Sequence, residues 1–438
     1  MIHAKKLMLA LTLTAGAGLT ATAQTNGSNS PYSRYGFGLL SDRGIGFNKG
    51  MSGLSYGMSN GKELNVNNPA SYADIDSLSF LFDVGLSLQH GNLKQGSHKV
   101  NAKNTSLDHL NMGFRVSRNL GFSLGMMPFS TIGYNLSNTE KLNLPSGEIN
   151  QTESYKGDGG LHEIYAGIGW RPFSPIAVGV NAGYMWGGMT HTVLASFSDA
   201  NIASRRRQYD ADISTFKANF GVQYTQKLNK KNSLVVGATY DIGHKINSDG
   251  SYYDQKVVSG SVSSGDTLTA PNAYSLPHSF GVGVVWNHDN RLRAGIDYSF
   301  QKWDNVKSPT LTTDSEGNQV YKATSGQYTN MHKVTIGAEY QPKENGIRWR
   351  DFVRYRAGFS FTSPYTKVDG KDGPRSYQAS LGVGLPIINF HNRRSVINIS
   401  AQYEHVAPQF SGMITENYFR ICIGLSFNER WFMKWKVE

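Results

Sequence analysis

Cysteine is almost absent: Cys422 stands alone in a chain of 438 residues. One cysteine excludes an internal disulfide framework, so strand pairing or a large core must hold the fold together. Charge is also scarce, at 17% of residues, and mean hydropathy is negative at −0.40. No run of ~18 apolar residues follows the N-terminus, which excludes a bundle of membrane helices. The Ala, Glu, Lys and Leu excess of helical proteins is missing too. What is abundant is 48 glycines, 23 tyrosines and 21 phenylalanines, the turn formers and strand formers.

The first residues read as an export segment. Lys5 and Lys6 precede an apolar run from Leu7 to Leu19, and Ala21-Thr22-Ala23 offers a small-x-small cleavage site before Gln24. Residues 1–23 are therefore expected to be a signal peptide. Export and the scatter of the basic residues set aside nucleic acid as the partner for a net charge of +11.

From Ser77 onward the chain alternates. Phe80, Phe82, Val84, Leu86 and Leu88 are apolar, while Ser79, Asp83, Gly85, Ser87 and Gln89 are polar or small. The same period of two recurs about fourteen times, up to Phe419, Ile421, Ile423, Leu425 and Phe427. Such strands have one apolar and one polar face. A soluble sandwich and a membrane barrel both use them, and the connections discriminate. Short links, such as Arg118-Asn119 and His288 to Asn290, alternate strictly with long ones, such as Gly91 to Ser106, Asn138 to Gly159, Thr190 to Ala211 and His244 to Ser275. The expected fold class is all-β: an antiparallel transmembrane barrel of about fourteen strands, residues 78–438, with short periplasmic turns and long external loops. Its seven tryptophans fall near strand ends, as aromatic girdles would. Basic residues gather at the short turns, where they would meet the phosphates of the inner leaflet.

Residues 24–77 precede the first strand and contain "DRGIGFNKGMSGLSYG" and "NNPAS". A barrel of this size leaves a lumen that its own side chains do not fill. The inward positions are small, among them Gly167, Gly169, Gly179, Gly281, Gly283 and Gly337. Residues 24–77 are accordingly expected to form a plug, or hatch. Inward charges of both signs, such as Glu163, Lys217, Asp297, Glu339 and Arg356, are expected to pair with the opposite wall or the plug. No nucleophile–base set, metal motif or phosphate loop stands out, so neither an enzyme nor a cofactor is expected.

"NKGMSGLSYG…NNPAS", "LGFSLGMMPFSTIGYNL" and "LPHSFGVGVVW…LRAGIDYSFQKWDNV" together resemble the FadL/TodX family of outer-membrane transport proteins, in its Bacteroidetes-type form. The resemblance implies a fourteen-stranded barrel with an N-terminal hatch and a kinked third strand. It also implies that Asn68, Pro69 and Ala70 lie beside a lateral gap marked by Pro128 and Phe129. Proline cannot donate to a ladder, so Pro128 marks an edge or bulge in any case. The expected function is passage of small hydrophobic molecules, of the long-chain fatty acid type, through a plugged barrel of the cell outer membrane with lateral release. Its partners would be membrane lipids and the hydrophobic ligand. The alternative is a non-transporting barrel that docks other outer-membrane proteins in a secretion or assembly complex. An apolar pocket beneath the long loops would favour transport.

Overall fold

A computed structural model describes residues 28–430 apart from 145–146, 200, 259, 344–345 and 388–394. The expected signal peptide, Arg393, Arg394, Trp431 and Trp435 lie outside the described residues.

Fourteen strands make the wall. They are β1 (Ser79–Gln95), β2 (His98–Ser117), β3 (Leu120–Leu144), β4 (Gly147–Phe173), β5 (Ile176–Phe197), β6 (Ser204–Lys227) and β7 (Asn232–Asp241). The rest are β8 (Ser279–His288), β9 (Leu292–Gln301), β10 (Met331–Tyr340), β11 (Arg354–Thr362), β12 (Arg375–Pro386), β13 (Val396–Ala407) and β14 (Thr415–Arg430). Every neighbour pair is antiparallel and consecutive in the chain. The circle closes where β14 meets β1, in register from Ser79↔Arg430 to Lys94↔Thr415. Joining the last strand to the first removes the two free edges that an open sheet would present to lipid.

The two faces divide as the alternation predicts, but inside out relative to a soluble protein. Leu86, Leu88, Ile168, Phe220, Val282, Ile336 and Phe359 are exposed on the outer face. Asp83, Asn111, Glu163, Asn219, Asp297 and Arg356 are buried on the inner one. Only hydrocarbon around the barrel makes that arrangement favourable. Among the described residues no helix is long and apolar enough to cross a membrane.

Strand length splits the barrel in two. β1 to β6 run for 17, 20, 25, 27, 22 and 24 residues. β7 to β13 run for 9 to 12, and β14 for 16. A membrane crossing takes ~9–11 residues, so the first six strands continue well past the bilayer. This corrects three expected loops: much of Gly91 to Ser106, Asn138 to Gly159 and Thr190 to Ala211 is paired strand. Above the membrane both faces of a strand meet water or loops. The apolar–polar contrast that reveals a strand in sequence therefore disappears while the ladder continues.

The projecting wall gains two more strands, because Gly250–Val258 pairs with the upper part of β6 and with Ser261–Ala270. A second hairpin, Ser308–Thr313 with Gln319–Thr324, packs Tyr321 against Tyr209 and Tyr252 of this wall. Over the barrel mouth Trp303 is fully buried, with ring centroids 4.7 Å from Tyr365 and 5.9 Å from Phe37. Trp303 was expected in the outer aromatic girdle. It lies instead in the core of a loop lid, which only the folding of distant loops onto one another could create.

Candidate functional site: lumen, hatch segment and wall opening

Residues 28–77 lie against the inner face of the wall, shaped by three 3-10 turns: Pro31–Arg34, Gly46–Met51 and Pro69–Asp74. The third begins locally. Asn68 Oδ1 accepts the Ala70 N–H at 3.1 Å, and Pro69 occupies the first position, where no N–H is needed. The inward glycines are what let this backbone approach. A Cβ on Gly169 or Gly179 would collide with Pro69, one on Gly237 with Tyr56, and one on Gly358 with Met51. The small inner face thus follows the path of residues 46–73.

Ion pairs tie the same segment to the wall on several sides. Glu63 pairs with Arg354 and lies 3.4 Å from Arg356, which also binds Glu339 at 2.7 Å. The Asn398 amide donates to Glu63 at 2.8 Å. Lys49 meets Asp108 at 3.1 Å and Asp42 meets Lys333 at 3.5 Å. Arg43 reaches Glu163 at 3.5 Å and Asp241 at 3.6 Å, and Lys217 shares Glu163 at 3.0 Å. Asp297 accepts the backbone N–H groups of Ser55 and Tyr56 at 2.6 and 2.9 Å. Buried charges of this kind are tolerable only with such partners, and removing one partner is costly.

Among the described residues the wall is interrupted between β2 and β3. β2 and β3 pair only from Ser117↔Leu120 to Leu110↔Met126, and then separate. At that point β3 carries a bulge between Pro128 and Ser130, with Phe129 the extra residue. The chain's own Leu39 and Leu40 pair with Thr131 and Ser130, and the Ser41 N–H donates to the Phe129 carbonyl at 2.9 Å. Higher up, Ser33 Oγ accepts the Gly133 N–H at 3.2 Å, Ser28 Oγ donates to its carbonyl at 3.3 Å, and Asn29 reaches Asn104 of β2 at 2.7 Å. Residues 28–41 therefore occupy the lower part of the separation.

This places the expected site residues in two groups. Pro128 and Phe129 stand at the separation. Asn68, Pro69 and Ala70 lie under β4, β5 and β6, where Asn68 Nδ2 donates to the carbonyls of Tyr56 at 2.8 Å and Val222 at 3.2 Å. The segment beside the gap at Pro128 and Phe129 is thus residues 39–41, and not Asn68, Pro69 and Ala70 as the resemblance implied. Asn-Pro reads as a stiff turn in sequence, but nothing local says which strand it faces. Leu39 and Leu40 gave no signal beyond two adjacent leucines.

Between hatch segment and wall lies a cavity of about 1550 Å³ that reaches this separation. Lys103 and Asn104 of β2 and Ser130 of β3 border it, and so do Asp42, Arg43, Lys217, Asp241, Lys333 and Arg420. Leu39, Met127, Phe129, Leu276, Trp303 and Met331 line it as well, so the chamber mixes charged and apolar surface, in contrast to the purely apolar pocket expected for a hydrophobic ligand.

Solved structures of the same fold include a hydrocarbon channel, a FadL homologue and a toluene transporter. The CymD monoaromatic hydrocarbon channel is 14% identical, with 90% of this chain and 99% of that one covered and a TM-score of 0.56. A Pseudomonas aeruginosa FadL homologue is 12% identical over 90% of this chain and 100% of that one, with a TM-score of 0.58. The P. putida toluene transporter TodX is 14% identical over 90% and 100%, with a TM-score of 0.57. No curated protein sequence matches. At such identities the likeness to FadL and TodX is one of fold, and the sequence family is a different one. Matched from residue 1 to residue 438, the chain belongs to the BamG family.

Proposed function

We propose that the protein is a non-transporting outer-membrane barrel that docks other proteins within a surface secretion or assembly complex. The observation that carries this reading is the state of the lumen. A hatch held to the wall by ion pairs at Glu63, Lys49, Asp42, Arg43 and Asp74 occupies the lumen and opposes passage of an apolar molecule through it. Trp303 and Phe37 pack together above the chamber, where loops and hatch segment meet. The projecting wall of β1 to β6 adds a large surface outside the bilayer, where proteins meet. Affinity purification from native outer membranes tests it, with bound lipids and bound proteins both identified. A stoichiometric protein partner and no hydrophobic cargo is the expected result. Recovery of the barrel alone with a bound fatty acid or aromatic compound would overturn it.

A second reading, transport of small hydrophobic molecules with lateral release, is favoured by the separation of β2 and β3 at Pro128 and by the channels that share the fold. Under it, Pro128→Val should restore pairing at the bulge and slow uptake of a hydrophobic probe, with barrel assembly unchanged. Equal uptake by wild type, Pro128→Val and a deletion strain would remove this second reading.

A further inference from the structure

Above the bulge the slot-facing side of β3 is a sheet edge. The hydrogen bonds at Phe129 and Gly133 show which residues turn their backbone groups toward β2. In an antiparallel ladder such groups alternate along a strand. Asn135, Ser137, Thr139, Lys141 and Asn143 therefore direct their N–H and C=O groups into the separation, while β3 pairs through its other side with β4 as far as Leu144↔Gly147. No described strand of this chain pairs with that edge above Thr131. The facing edge of β2, His98 to His109, is likewise paired only on its β1 side. Exposed, regular edges of this length invite an added strand, and proteins ordinarily blunt them.

We propose that the β3 edge from Asn135 to Asn143 takes up an extended segment of a partner polypeptide as an added antiparallel strand, with acidic side chains on its outward face. This rests on the docking function proposed above and names its surface. Two observations fix the occupant's chemistry. First, the chain's own Leu39–Leu40 already binds the lowest rungs of this edge in that direction, descending toward the membrane. A partner segment would continue the same ladder upward, with main-chain bonds giving affinity and alternate side chains giving specificity. Second, the outward rim carries more free basic than acidic groups: Lys94, Lys99 and Lys103 project from the β1–β2 hairpin and Lys156 from β4 beside Asn135, against Asp158 and a Glu148 that already pairs with Lys141 at 3.0 Å. Carboxylates at every second position would meet these ammonium groups.

The test uses the full-length protein in native outer membranes, with a photo-crosslinking amino acid introduced in turn at Asn135, Thr139 and Asn143. Adducts from the three positions should map onto one segment of one protein and step toward its N-terminus as the probe moves up β3. Amide exchange at Asn135 to Asn143 should be slow in membranes and fast in the purified barrel. The double variant Ser137→Pro with Thr139→Pro removes two slot-facing N–H donors and leaves the β3–β4 bonds in place. It should lose these adducts while heat-modifiability is retained. Adducts between two copies of β3, adducts scattered over many proteins, or equal exchange in both preparations would overturn the proposal. A partner that co-purifies undiminished with the double variant removes the edge but leaves the docking function standing. Absence of any co-purifying protein from wild type removes the docking function itself.

Discussion

The first six strands and the last eight belong to one closed sheet, yet they end at different heights. In β7 to β13 the ladder stops within 9 to 12 residues, close to what a bilayer requires. In β3 and β4 it continues for 25 and 27. The short half is shaped by lipid outside and hatch inside. The long half has a second environment above, where both strand faces answer to water, loops or another protein. The same alternation of side chains therefore carries opposite meaning at different levels of one strand.

Several substitutions would break or sharpen that contrast. The largest effect is expected in the short half, at the buried cluster of Glu63, Arg354, Arg356 and Glu339. Glu63→Ala takes the carboxylate partner from Arg354 and one of the two from Arg356, and should destabilise the folded barrel by about 3–5 kcal/mol. A drop in the urea midpoint in lipid vesicles, together with faster proteolysis within residues 28–77, would report it.

Next is Val282→Arg. Val282 is 50% exposed on the outer face of β8 and meets hydrocarbon, so a charge there should cost about 2–4 kcal/mol. Its neighbour Gly283 faces inward, against Asp297 and the Tyr56 side chain. Gly283→Arg should leave insertion intact and loosen the hatch, seen as new protease sensitivity between residues 28 and 77. Equal insertion defects with an undisturbed hatch in both variants would contradict the assigned faces.

A smaller effect belongs to the projecting wall. His191 of β5 accepts or donates at 2.9 Å to the Tyr134 hydroxyl, and burial lowers its pKa from 6.5 to about 4, aided by the nearby Arg34 charge. A base whose folded pKa is depressed takes up its proton more readily when unfolded. Its contribution is complete above pH 6.5 and is lost as pH falls toward 4. Amide protection in upper β3 to β5 should decline across that window, and His191→Gln should flatten the decline. The smallest effect is expected for Ser154→Arg on the outward face of β4 above the bilayer. There a charge meets water, and stability should change by less than about 0.5 kcal/mol. A cost matching that of Val282→Arg would place the membrane boundary higher and erase the distinction between the halves.

The sequence by itself determined the closed antiparallel barrel, its strand count and which face of each strand looks outward. A period of two enforced by lipid on one side and a lumen on the other leaves a strong trace in Phe80 to Leu88, Phe280 to Trp286 and Phe419 to Phe427. The inward glycines could be read as room for another segment for the same reason. Tertiary structure alone decided how far β1 to β6 rise, because a strand wet on both faces leaves no hydropathy signal. It decided that Trp303 closes a lid, since that core joins loops far apart in the chain. It decided that Glu63 meets Arg354 and Arg356 across 291 and 293 residues. And it decided that Leu39 and Leu40, not Asn68, fill the ladder at Phe129. Partners of backbone groups across a separation depend on where the chain is led, and side-chain identity records that path only weakly.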